Sequence, residues 1–433
     1  MQQQSYLDHA ATTTTYPEVI EAVAAQRAVV GNPSSLHTAG RAARRVVEER
    51  REQIADLVGA RPSEVVFMSG GTEADNLAVI GSYRARRAQH PGARRVLTST
   101  IEHHAVLDAV EHLVRREDAE VTWLEVDAVG RVDLDGVRSA LETDPASVAV
   151  VSLMWANNEV GTIQPVAEVA ALAAEHGIPV HTDAVQAVGH VAVDFAASGV
   201  SLLSLTGHKL GGPVGVGALL ARRDATVQPL THGGGQERGI RSGTLDVAGI
   251  VGLATALEIA CGEREAEAAR LAGLRDRMLQ GALDLDLGIR VGGDWQPRDW
   301  SRRLPGNAHL IIEGCEGDSL LYLLDAAGVM CSTGSACHAG VPQPSHVLLG
   351  MGLSETEARG ALRLTLGRTT TDADVERALA ALPAAVERAR RAGSLSTPGG
   401  SATSGGSTAP GGSATAGGSA TPGEAGAAVE VAS

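Results

Sequence analysis

Short apolar runs alternate with helix-patterned stretches through much of this chain, and that alternation restricts the fold more than any other feature. Val65–Met68 is wholly apolar, Val148 to Met154 nearly so, and Ile178 to Val180 forms a third such run. The stretch Val166 to His176, between the last two, reads as a helix. Ala43, Val46, Val47, Ile54, Leu57 and Val58 share one face of another helix, entered near Ser35. Strands that are apolar throughout are covered on both faces, and strands alternating with helices predict an α/β fold with a mostly parallel sheet. Ligands of such sheets sit at the carboxyl ends of the strands. The residues able to do chemistry fall at those ends: Ser69–Thr72, Asn157–Glu159, His181–Asp183 and Gly207–Lys209.

From about Cys261 onward the pattern changes to an Ala/Glu/Arg-rich helix, strand-like pieces, and a last helix carrying Val375, Leu379, Leu382 and Val386. This predicts a large domain over 16–260 and a smaller α+β domain over 261–393. Pro383 is expected to kink the last helix. In 394–433 the run Gly-Gly-Ser-Ala-Thr recurs at 399–403, 411–415 and 417–421, almost without large apolar residues. Such a segment cannot bury enough surface to offset its ordering entropy, so a disordered tail is expected.

Acidic residues outnumber basic ones, 51 to 36, for a net charge of -15. That balance argues against nucleic acid or an anionic membrane as a direct partner. No stretch approaches the roughly eighteen apolar residues of a membrane span. Met1–Ser5 has neither the basic nor the apolar part of a signal peptide. Four cysteines without a Cys-x-x-Cys pair make no disulfide framework, and reduced thiols in a cytoplasmic protein are expected.

Among the 36 basic residues there is one lysine, Lys209, and the rest are arginine. Arginine serves wherever only positive charge is needed, but a guanidinium does not deprotonate in proteins and cannot act as a neutral amine. Lys209 stands in a small, Gly-rich setting after the apolar run Val200 to Leu205. It reads as a lysine that forms a covalent bond to a carbonyl group, the alternative being a leftover surface residue.

The other candidates are ambiguous alone. Ser69–Thr72 follows a strand and opens a helical stretch, which suits a phosphate or an ordinary turn. It is neither a Walker loop nor a dinucleotide fingerprint, and Gly215–Gly217 and Gly233–Gly235 also lack that spacing. Asp183 ends a strand, where its carboxylate suits a protonated ring nitrogen or a helix N-cap. His103 and His104 follow a strand, as groups that stack and move protons or as solvated loop residues. No zinc spacing includes them. Cys337 lies between small residues and prolines, an exposed setting where a thiol reacts. Cys261, Cys315 and Cys331 have more apolar surroundings and read as core.

Taken together, these residues resemble the cysteine desulfurases of the NifS/IscS type, within the fold-type I pyridoxal-phosphate enzymes. The similarity runs from Tyr6–Thr13 through Gly31–Ser35, Ser69–Asn76, Glu102–Val106, Asn157–Gly161, His181–Gln186, Gly207–Lys209, Gly233–Thr244 and Ser332–Leu348 to Leu362–Arg368. It implies a seven-stranded, mostly parallel sheet in the large domain, with residues 1–15 joining the small one. It implies that Lys209 binds pyridoxal 5'-phosphate covalently, that Asp183 pairs with its ring nitrogen and that His103 stacks on the ring. Gln186 and Asn158 would lie beside the phenolic oxygen. Gly71, Thr72, Thr206 and His208 would hold the phosphate, with Thr244 reaching it from the other subunit of a homodimer. Arg363, helped by Asn158, would clamp the carboxylate of L-cysteine. Cys337 would take the substrate's sulfur as a persulfide, releasing alanine and passing sulfur to an iron–sulfur scaffold or a tRNA-thiolation enzyme. No resident metal is implied, Cys337 serving at most as a transient iron–sulfur ligand. The sequence departs from the family at His9, where tyrosine is frequent, and at Thr333 and His338. A selenocysteine lyase, an aminotransferase of the same fold and a non-enzymatic iron–sulfur scaffold are the rival readings.

Overall fold

The apolar runs become the strands of one sheet. The computed structural model describes residues 4–334 and 343–396, so Cys337 and residues 397–433 of the expected tail lie outside the described residues. The described strands are β1 (Ser5–Tyr6), β2 (Val65–Met68), β3 (Arg95–Ser99), β4 (Glu120–Leu124), β5 (Val148–Ser152), β6 (Val180–Asp183), β7 (Leu202–Thr206), β8 (Gly217–Ala221), β9 (Ile289–Val291), β10 (Asn307–Ile312), β11 (Val329–Met330) and β12 (Ala361–Thr365). A seven-stranded sheet has the order β2-β8-β7-β6-β5-β3-β4. Its pairs from β7 to β4 are parallel, while β8 runs antiparallel to both neighbours. The expected α/β fold with a mostly parallel sheet is met.

The direction of β8 has a physical cause. A parallel return needs a crossover of roughly a dozen or more residues, usually a helix. The short connection 207–216 allows only an antiparallel return, and it carries Lys209. Strands β2, β5, β6, β7 and β8 are buried along their whole lengths. Each fully buried valine or leucine there contributes about 1.5–3 kcal/mol.

The helix Thr38–Leu57 starts later than Ser35, with His37 as its cap accepting from the Gly40 N–H at 3.3 Å. Its core-facing side includes Arg51, 5% exposed, which forks onto Glu237 at 2.8 and 2.9 Å. The helical stretch after Ser69 is Gly71–Asn76, which widens into a π-turn at Leu77–Gly81 before continuing as Ser82–Gln89.

The compositional change near Cys261 lies inside one helix, Val247–Leu283. Ile250, Leu253 and Leu257 pack into the core of the seven-stranded sheet, whereas Leu271, Met278 and Leu279 pack against β10 and β12 residues. The pattern records a change of packing partner, with no break in the helix. The second core covers a three-stranded antiparallel sheet of order β12-β10-β9. The N-terminal segment joins it: β1 lies parallel to β11, and the Thr365 N–H bonds the Leu7 carbonyl at 2.7 Å. The segment then reaches the loop after β7, where the Thr13 N–H bonds the His208 carbonyl at 3.1 Å. The last helix, Asp372–Ser396, continues through Pro383. No helix among the described residues is long and apolar enough to cross a membrane.

Candidate active site

At the carboxyl ends of β2, β3, β5, β6 and β7 lies a cavity of about 420 Å3. Its walls include Gly71, Thr72, His103, Asn158, Asp183, Gln186, Thr206, His208, Lys209 and Arg363, so ten of the residues singled out in the sequence meet there. Thr244 is exposed and is not among the lining residues. Cys337 falls outside the described residues, but Ser332 and Gly334, just before it, form part of the wall.

Lys209 Nζ donates to the carbonyls of Ala10 and Ala11 at 2.6 and 2.7 Å. Burial lowers its pKa from 10.5 to about 8, with Arg363 adding to the effect and Asp183 and Asp8 opposing it. Asp183 is buried at the end of β6, and its Oδ1 accepts from the Val185 N–H at 2.9 Å. No helix begins there, so the capping alternative falls away. Burial and then Asp75 raise its pKa to about 7, while His103 pulls it down. A second buried carboxylate is thus close behind the first, and His181 between Ser152 and Ser204 stays neutral, its pKa pushed down to about 4 by burial.

His103 caps the helix His104–Glu117, its Nδ1 accepting from the Ala105 N–H at 3.1 Å. In the neutral ring the proton is therefore on Nε2. The residue keeps much surface open towards the cavity, yet protein surrounds it on most sides. That desolvation lowers its pKa, while Asp183 raises it. His208 Nδ1 lies 3.3 Å from Thr12 Oγ1, and burial, then Lys209, lowers its pKa to about 4. Gln186 Nε2 donates to the Ala10 carbonyl at 3.0 Å.

Arg363, on β12, is 5% exposed. Its Nη1 donates to the Asn158 carbonyl and its Nη2 to Asp8 Oδ1, both at 2.9 Å. Both terminal nitrogens are thus held by protein acceptors, and each has a second N–H that can serve a carboxylate. The roles of Asp8, of the Ala10 and Ala11 carbonyls and of Asp75 escape sequence reasoning. Asp8 lies within one of the motifs, but nothing local to it signals a partner 355 residues away.

The family model for class-V aminotransferases matches residues 5–378. The chain belongs to the class-V aminotransferases, in the NifS/IscS-type cysteine desulfurase branch. An IscS-like cysteine desulfurase of Mycobacterium tuberculosis is 58% identical over 92% of this chain and 100% of its own length. The solved structure of a NifS-like protein superimposes with a TM-score of 0.78 at 33% identity, covering 89% of this chain and 99% of that one. SspA, solved in complex with cysteine, gives a TM-score of 0.70 at 32% identity over 84% and 98% of the two chains.

The cofactor of this family is pyridoxal phosphate, and the cavity fits it. Asp183 is a buried carboxylate that pairs with no arginine or lysine among the described residues, as a partner for a protonated ring nitrogen requires. A Cβ on Gly71 would lie 2.7 Å from Val185 Cγ2, so only glycine leaves room beside Thr206 at the helix start. The lysine amine, already shifted towards its neutral form, lines the same space.

Proposed function

We propose that this chain removes sulfur from L-cysteine with pyridoxal phosphate held at this cavity, leaving alanine and a persulfide on Cys337. One observation carries the reading: the only lysine has a pKa near 8 and lines one cavity with Asp183, Arg363 and the stem of the Cys337 segment.

Lys209 holds the cofactor, because burial gives it an amine that is neutral in useful amount near physiological pH. Asp183 keeps a proton on the ring nitrogen, and the buried setting strengthens that pairing. Gly71, Thr72, Thr206 and His208 receive the phosphate. His103 stacks on the ring, Gln186 and Asn158 flank its phenolic oxygen, and Arg363 orients the substrate carboxylate. When bound, the cofactor supplies an electron sink that makes loss of the substrate's α-proton feasible. Lys209 Nζ and His103 are the groups assigned here to carry protons in the cavity. Cys337 Sγ, as thiolate, bonds the substrate sulfur while the Cβ–S bond breaks. The electron pair of that bond stays with the carbon fragment, which takes up protons and leaves as alanine.

The described thiols are poor rivals for this role. Burial, then Asp8, pushes Cys331 up to about 12, and burial raises Cys261 and Cys315 as well. The SspA relative solved with cysteine adds support for the substrate. We further assign a homodimer in which Thr244 serves the partner's phosphate, domains meeting near residue 261, a cytoplasmic location, and sulfur acceptors of the scaffold or tRNA-thiolation kind.

The test is the absorbance band of the purified protein together with alanine release from L-cysteine. Alanine formed without any keto acid supports the reading. A strict requirement for a keto acid makes the chain an aminotransferase, and strong preference for selenocysteine makes it a lyase.

A further inference from the structure

The turn after β5 holds two structures at once. The Asn158 carbonyl accepts from Arg363 Nη1 at 2.9 Å, and the next side chain, Glu159, is 1% exposed. The Glu159 carboxylate lies against described residues on both sides of 335–342, Gly334 before them and Ser345 after. Ser345 Oγ donates to Glu159 Oε2 at 2.5 Å. On the other side Gly334, with φ +89°, packs so close that a Cβ would lie 3.1 Å from Glu159 Cγ and Oε2. Glu159 is itself anchored: its N–H bonds Asn157 Oδ1 and its carbonyl accepts from Asn307 Nδ2, each at 2.9 Å. Ser345 also caps the helix His346–Gly350, accepting from the Leu348 N–H at 3.2 Å.

A carboxyl buried this deeply is costly unless hydrogen-bonded, and no step above uses it. We infer that Glu159 is a positioning residue for sulfur transfer, bonding Ser345 and packing against Gly334 from the turn that carries Asn158, whose carbonyl holds Arg363 of β12. Gly334 and Ser345, which flank the stretch containing Cys337, are thereby held beside Arg363, the residue proposed to orient the substrate carboxylate. This inference rests on Cys337 being the sulfur-accepting thiol. Burial raises the Glu159 pKa, while Ser345, His346, Arg363 and His104 lower it. The tie survives in either state, since a hydroxyl can donate to a carboxylate or accept from a carboxylic acid.

The test uses full-length holoenzyme with Glu159→Ala, Glu159→Gln and Ser345→Ala. Each is mixed rapidly with L-cysteine, following the change in the cofactor band and, by quenched mass spectrometry, persulfide on Cys337. Misplacing a reacting group by an ångström costs up to about a hundredfold in rate. Persulfide formation should therefore slow about 10- to 100-fold in both alanine variants, while the cysteine concentration that half-saturates the band change stays near wild type. Glu159→Gln keeps an acceptor oxygen and should recover most of the rate. If Glu159→Ala does not fold, Ser345→Ala carries the test. An unchanged persulfide rate in the alanine variants overturns the inference, as does an equal loss of the band response, which means general structural damage. Absence of persulfide from wild-type Cys337 overturns the sulfur-transfer reading and this inference with it.

Discussion

The amine of Lys209 should attach the cofactor with a pH profile set by its surroundings. Burial, then Arg363, brings its pKa from 10.5 to about 8, against the pull of Asp183 and Asp8. At pH 7 the neutral fraction rises from about 0.03% for an ordinary lysine to about 9%, roughly 300-fold more attacking amine. Protein stripped of cofactor is mixed with pyridoxal phosphate from pH 6 to 10, and growth of the bound band is timed. The rate should climb about tenfold per pH unit and level off near pH 8. Arg363→Met removes a cation and should move the midpoint upward. The same shift bears on stability. The folded pKa lies below the unfolded one, so between about 8 and 10.5 only the unfolded chain binds this proton. Lys209 therefore contributes increasing stability as pH rises through that window. A rate that keeps climbing to pH 10 without levelling refutes the argument.

Three further outcomes follow. Lys209→Arg should leave no cofactor that borohydride can fix to the protein, because a guanidinium does not deprotonate; fixation in this variant would disprove the assignment. Glu237→Ala leaves the Arg51 guanidinium, 5% exposed, with Glu48 and the Val65 carbonyl but without its buried carboxylate, and should cost about 3 kcal/mol in denaturant titration, a loss well under 1 kcal/mol counting against it. Truncation after Ser396 should leave thermal stability and turnover nearly unchanged, since 397–433 has almost no large apolar residue; a large fall in melting temperature would contradict this.

Much of this molecule is legible in its sequence because the relevant signals are local. Val65–Met68 and the run from Val148 are apolar throughout, and they become β2 and β5. Lys209 stands out because a charge-only surface needs no lysine. What stays hidden depends on distant partners. Arg51 looks like a polar residue on an apolar helix face until Glu237 arrives to pair with it. Asp183 as a strand-end aspartate suits a cap at least as well as a ring nitrogen, and the absence of a following helix separates the two. The carbonyls of Ala10 and Ala11 carry no side-chain signature, although they receive the Lys209 amine. The π-turn at Leu77–Gly81 has the apolar composition of an ordinary helix, so periodicity does not betray it.

The most direct test of the central claim is mass spectrometry of the protein after L-cysteine and before any reductant, with alanine measured alongside. One added sulfur confined to the peptide containing Cys337, matched by one alanine and absent from Cys337→Ser, is the predicted result. Sulfur found on Cys331, with Cys337→Ser still fully active, would contradict it.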